Sequence, residues 1–219
     1  MNNLVTLVQG MALAYAAGIN LYAAMAVTGL AVRFGYAPGA PSAITILGSS
    51  WMIIIATALA IIELVVTSIP GVAAAWETVH SLVRPPAAAA LAAAVSWQAD
   101  PLLVLVAALL GGAVAIATHT SKLGLRYALE ASRRGSLGIV ASVAELLLVA
   151  VVAAELWTHP FITVLIAAAA FTVVLIAIRT IWHALRQVFT GHWMPSRGLM
   201  QAPRASQPID MTPETNSPL

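Results

Sequence analysis

Glu63 lies in LAIIELVV and Glu145 in SVAELLLV, each the only charge in an otherwise apolar run. A carboxylate at the centre of a membrane helix costs about 2.5 to 3.5 kcal/mol on insertion scales, so it turns toward the protein interior or a water-filled cavity and there pairs or takes up a proton. If the two glutamates converge, they suit proton-coupled movement or the holding of a cation. The plainer alternative is that each hydrogen-bonds a neighbouring helix or base. The cationic counterpart is THTSK at 118–122, where Thr118, Lys122 and Arg126 fall on one helical stripe at steps of four with His119 beside it. Lys122 either snorkels to the interface or pairs with Glu63, Glu145 or an anionic head group. Asn20 and Tyr22 are polar residues of the first apolar run and serve as packing glue or as ligand contacts. Trp76, His80 and Arg84, in TSIPGVAAAWETVHSLVRPP at 67–86, complete the candidate substrate or proton pathway.

Other chemistry is poorly supported. There is no cysteine, no GxSxG, no HExxH and no glycine-rich phosphate loop, and the five histidines are never at metal-ligand spacing. No catalytic residue, cofactor or metal is therefore expected.

These residues are carried by a chain that is 61% hydrophobic and 8% charged, with a mean hydropathy of +0.93. A soluble domain carries about 25% charged residues, so the composition is that of an integral membrane protein. Six segments approach the ~20 apolar residues that span a bilayer. They are 4–32, 51–69, 85–97, 101–131, 137–156 and 161–181, the last continuing as a basic amphipathic end to about residue 189. The first is too long for a straight span and predicts tilt, a kink or a break near Gly18-Ile19-Asn20. It also lacks a basic leader region and is expected to be retained. The third is too short, and reads either as a span extended through Asp100 or as half of a re-entrant hairpin with 67–86. Within 67–86 the residue types predict an amphipathic helix lying in the cytoplasmic interface, ended at Arg84 by Pro85 and Pro86. Its apolar stripe is Val72, Trp76, Val79 and Val83, and Glu77, Ser81 and Arg84 share the more polar face. Trp51, Trp97, Trp157 and Trp182 fall at segment ends and predict interfacial anchors. The polar, proline-rich tail 190–219 predicts disorder.

With six crossings, nine of the ten Lys and Arg residues fall on one side, and the positive-inside rule puts both termini in the cytoplasm. The basic pI follows this topology, so nucleic acid is not an expected partner. The halves 4–99 and 101–183 echo each other. Gly10 to Asn20 matches Gly112 to Lys122, Glu63 matches Glu145, and the Pro70 turn matches the Pro160 turn. Three crossings per half predict a three-plus-three inverted repeat. The fold class expected is thus all-α and polytopic, one transmembrane domain over 1–189 with a cytoplasmic interfacial or re-entrant helix.

Four blocks in order carry a family resemblance: GINLYAAMAVTGLAVRFG at 18–35, IPGVAAAWETVHSLVRPPAAAALAA at 69–93, GGAVAIATHTSKLGLRYALEAS at 111–132, and the second glutamate helix followed by THP at 158–160. Together the chain over about 4–180 resembles a bacterial inner-membrane family described as domain of unknown function 4126. The resemblance implies that its hallmark positions fall on Gly18, Asn20, Tyr22, Pro70, Gly71, Trp76, His80, Arg84, Pro85, Pro86, Thr118, His119 and Lys122. It also implies an acidic and basic pair before IPG, where this chain has Val66-Thr67-Ser68. It implies no activity.

The leading functional expectation is a small transporter or flippase-like protein for a small or anionic amphiphilic solute, coupled to protons through Glu63 and Glu145. At this size it is expected to act as a homodimer or by one compact pathway. The alternatives are a non-transporting membrane scaffold or regulatory factor, and a membrane-embedded enzyme acting on a lipid phosphate through His80, Arg84, His119 and Lys122. Transport predicts a polar cavity reaching both glutamates.

Overall fold

The computed structural model describes residues 2–69, 72–131 and 135–189. The expected tail at 190–219, the Pro70-Gly71 turn and residues 132–134 of the break expected at 132–136 lie outside them, while Gly135 and Ser136 of that break are already helical. Within the described residues the chain is helical throughout, with no strand. In chain order the helices are α1 Asn3–Ile19, α2 Leu21–Arg33, the short α3 Ser42–Thr45 with a 3-10 turn Ile46–Gly48, α4 Ser50–Val66, α5 Val72–Val95, α6 Pro101–Ala131, α7 Gly135–Glu155 and α8 Pro160–Phe189. One compact unit covers residues up to Ile181; of the described residues, 182–189 fall in a second unit and continue α8 to Phe189.

The break expected in the first run is present. Asn20 is extended, at φ −145° and ψ 101°, and closes α1 while opening α2. Asparagine suits that place because its side-chain oxygen accepts from the Ala23 amide at 2.8 Å, satisfying a free donor of the new helix. Asp100 does the same for α6, accepting from Leu102 N at 2.8 Å, with Pro101 as the first helical residue.

Residues 72–95 correct the expectation of an interfacial helix that stops at Arg84. They form a single helix of 24 residues, about 36 Å long, with Pro85 and Pro86 inside it. The two prolines deprive the Ser81 and Leu82 carbonyls of their usual donors, but the helix has one buried face to keep in register. Ala73, Glu77, His80, Arg84, Ala88, Ala92 and Val95 are all buried, at steps of three and four. The amphipathic pattern is turned inside out: Val72, Val79 and Val83 are exposed while Glu77, His80 and Arg84 face inward. Neither a half-helix in a hairpin nor a surface helix describes it.

The inner packing joins α1, α5 and α6. Small residues make the approach possible: a Cβ on Gly111 would meet the Ala92 Cβ at 2.6 Å, and one on Gly18 would meet the Thr118 hydroxyl and the Ala115 Cα, the latter at 2.9 Å. Outside this core, α4 buries only Ala56 and Glu63, seven residues apart, and exposes Ile54, Ile55, Ile61 and Ile62. Apolar residues outward and a carboxylate inward is the pattern of a protein surrounded by lipid. Among the described residues two helices are long and apolar enough to cross a membrane, Pro101–Tyr127 and Pro160–Arg179. A third span results if Ser42–Gly48 and Ser50–Val66, bent by 70°, count as one. Of the tryptophans expected at the interface, Trp51, Trp97 and Trp182 are exposed, but Trp157 is buried against the core and corrects that expectation.

Candidate functional site

Four helices send charged side chains to one buried place, and a fifth, α1, brings a backbone carbonyl. Arg84 of α5, wholly buried, donates through Nη2 to Glu63 Oε1 of α4 at 2.6 Å and through Nη1 to Glu77 Oε2 at 2.9 Å. Lys122 of α6 donates to Glu63 Oε1 at 3.3 Å and stands 3.3 Å from Glu77 Oε1 and 3.6 Å from Glu145 Oε2 of α7. Its shortest bond is to the Ile19 carbonyl at 2.9 Å, at the end of α1. The break at Asn20 supplies that partner. A helix end leaves carbonyls without intrahelical donors and carries partial negative charge, which a buried ammonium satisfies.

The hydrogen bonds fix the form of His119. Its Nδ1 lies 2.6 Å from Arg84 Nη1, and a guanidinium can only donate, so Nδ1 carries no proton. Its Nε2–H then donates to Ser81 Oγ at 2.8 Å, and the Ser81 hydroxyl donates to the Glu77 carbonyl at 2.8 Å. His119 is thereby neutral and extends the network rather than adding charge. The cluster holds three carboxylates, Glu63, Glu77 and Glu145, against the two bases Arg84 and Lys122 that reach them. Arg126 stands at its edge and donates to the Thr67 carbonyl at 3.0 Å.

Beside the ions lies an aromatic group. His80 Nδ1 faces the Trp76 carbonyl at 2.8 Å and so bears the proton, leaving Nε2 to meet the Tyr22 hydroxyl at 3.0 Å. The Trp76 ring stacks on His80 with centroids 4.3 Å apart, and Tyr22 meets it edge-on at 5.6 Å.

Glu63 and Glu145 both come to this place, but they are linked through the Lys122 ammonium rather than by sharing a proton directly. Arg84 turns inward under Glu63. Asn20, Tyr22, Trp76, His80 and His119 are all in or against the cluster. Thr118 is close without joining it: its hydroxyl bonds to the Val114 and Ala115 carbonyls of its own helix and backs onto Gly18. Glu77 and Ser81 were not among the sequence candidates. Their signal was present, since Glu77 precedes Arg84 by seven residues, two helical turns, on the same face.

A small cavity of about 10 Å³ opens between Asn20, Glu63, Thr67, Ser142 and Glu145, with Lys122 and Arg126 on its wall. It has room for about one water. The glutamates differ in access: the Glu145 side chain is 20% exposed and that of Glu63 only 2%. A larger apolar cavity of about 210 Å³ lies among α1, α6 and α8, lined by Met11, Tyr15, Val114, Thr118, Val164 and Phe171.

Comparison with curated proteins and with solved structures gives no match. The family model described as Domain of unknown function (DUF4126) matches residues 7–181, from the first half of α1 to the end of the compact unit. It spans every block on which the resemblance rests, and these blocks meet in space: Tyr22 with His80, Arg84 with His119, Gly18 with Thr118, and Lys122 with the carbonyl before Asn20. The chain belongs to the DUF4126 family.

Proposed function

We propose that this protein is a small membrane transporter or flippase-like protein for a small or anionic amphiphilic solute, with proton coupling through the buried charge cluster. One observation carries the reading: the helix break at Asn20 falls inside the cluster, and the carbonyl it frees is held by a lysine that three carboxylates surround. Transporters place their sites where discontinuous helices meet ionisable residues near the membrane midplane. On this reading α1 with α2, the bent α3–α4 pair, α5, α6, α7 and α8 make six crossings of a cell inner membrane in a three-plus-three inverted plan, with both termini cytoplasmic. In favour of the repeat, the paired positions Asn20 and Lys122, and Glu63 and Glu145, meet at one point. Against full equivalence, α6 runs unbroken through Lys122 where the first half breaks.

Two features of the walls support the solute class. Arg126 lines the small cavity as a positive charge, with Nη1 donating to the Thr67 carbonyl, which favours an anion. The apolar cavity beside Thr118 has space for a tail. On this reading the buried Glu63 and a polar cavity with room for about one water belong to a closed form of the pathway. That same sealing favours a second reading, a scaffold in which the cluster only locks the helices together.

Translocation of a fluorescent short-chain phosphatidylglycerol across proteoliposomes separates the two. The transporter reading expects rates well above those of protein-free vesicles and a loss in Glu63→Gln. Equal rates with and without the folded protein favour the scaffold.

A further inference from the structure

The Lys122 ammonium has three N–H donors and four acceptors within reach: the Ile19 carbonyl at 2.9 Å, Glu63 and Glu77 at 3.3 Å, and Glu145 at 3.6 Å. The first two are made as hydrogen bonds. The third proton is contested between Glu77 of α5 and Glu145 of α7. With three carboxylates against Arg84 and Lys122, the inner cluster is one positive charge short, and the shortfall falls on whichever acid Lys122 leaves.

We propose that Glu145 is the proton-loading site of this protein, and that its protonation hands the third N–H of Lys122 to Glu77 and so frees α7 from the buried cluster. The step is a simple acid–base exchange. A hydronium at the cavity mouth gives its proton to a Glu145 oxygen, an O–H bond forms, one water is returned, and the cluster gains one positive charge.

Three observations point to Glu145. It is the most accessible of the three acids and the farthest from its base. It borders the one-water cavity, which Glu63 also lines, and Glu63 Oε2 is buried with no hydrogen-bond partner among the described residues. A water there would join the two acids and satisfy that orphan oxygen. Finally, α7 ties itself ionically to the cluster through Glu145, its other charged residue of the described helix, Glu155, being engaged with His159.

The groups that face Glu145 are Tyr15 of α1, Glu63 of α4, Glu77 and Arg84 of α5, and Lys122 and Arg126 of α6. From α2 and its cap only the uncharged Asn20 borders the cavity. Lys122 is the one of these that can follow the change in Glu145, because its ammonium already touches both destinations.

The proposal deepens the proton-coupled reading above, but its test needs no solute, so the two can fail separately. The protein is reconstituted in vesicles and the protonated-carboxyl stretch is followed by infrared difference spectroscopy as pH is lowered. A buried carboxyl band is expected to grow, to be absent in Glu145→Gln, and to shift but persist in Glu145→Asp. In parallel, the chain's lack of cysteine allows a clean Ser142→Cys reporter on the cavity wall. Its labelling by a small thiol reagent is normalised to an exposed Gln98→Cys reference and compared with the same reporter in Glu145→Gln, which separates thiol ionisation from the opening of the cavity. Labelling should rise about tenfold between one pH unit above and one below the midpoint, as the protonated fraction of one site does. Overturning results are a band that survives in Glu145→Gln, no band in the wild type, or normalised Ser142→Cys labelling that does not change with pH.

Discussion

Replacing Arg84 by methionine removes the guanidinium and keeps most of the side-chain volume. Three partners are lost at once: Glu63 at 2.6 Å, Glu77 at 2.9 Å and His119 at 2.6 Å. Two carboxylates, both almost fully buried, then have only the Lys122 ammonium between them, and Glu145 competes for it. Breaking a buried pair by removing one partner typically costs about 3 to 5 kcal/mol, because the remaining charge stays out of water without compensation. At about 2 to 4 °C per kcal/mol for a chain of this size, the unfolding midpoint in detergent should fall by about 6 to 20 °C. The second arm removes the stranded charge. Neutralising Glu77 in Glu77→Gln/Arg84→Met should recover a large part of the loss, since the cost lies in the unpaired acid and not in the missing base. Circular dichroism melting of the three proteins reads this directly. A loss under about 1 kcal/mol for Arg84→Met, or a double variant no more stable than the single one, would refute the reasoning.

Gly18→Ala puts a methyl against the Thr118 hydroxyl and the Ala115 backbone; it should cost about 1 to 3 kcal/mol in the same melts, with partial recovery on adding Thr118→Ala. Asn20→Ala removes the cap of α2 and should cost about 0.5 to 2 kcal/mol, whereas Asn20→Ser should keep most of the stability because serine also caps. Nitrogen-15 solid-state NMR of His119 should find Nδ1 unprotonated and Nε2 protonated; the opposite tautomer would contradict the Arg84 contact.

The parts of the fold that local chemistry decides were legible in the sequence. The Asp100-Pro101 start of α6 and the break at Asn20 each rest on a capping or proline preference that a few residues express, and α8 starts at Pro160, one residue before the expected Phe161. The end placed at Arg84 failed for the opposite reason. Pro85 and Pro86 argue locally for a stop, but the buried face that runs from Ala73 through Arg84 to Ala92 and Val95 is set by helices that arrive from elsewhere in the chain. That face also hid Glu77. In a helix taken to lie on the surface, a glutamate is ordinary; only the inward turn of the whole polar face makes it a partner of Arg84 and Lys122. The convergence of Glu63, Lys122 and Glu145 could be raised from the sequence as a possibility, because each is an uneconomical residue for a membrane helix, but the carbonyl of Ile19 could not, since a backbone group carries no signal in the residue type.

The most direct test of the account compares phosphatidylglycerol translocation in proteoliposomes with and without an imposed pH gradient, in the wild type and in Glu145→Gln. The account predicts that the gradient changes the wild-type rate and that Glu145→Gln, folded by the melting criterion, no longer responds to it. A wild-type rate indifferent to the gradient, or a Glu145→Gln rate that follows the gradient as the wild type does, would contradict it.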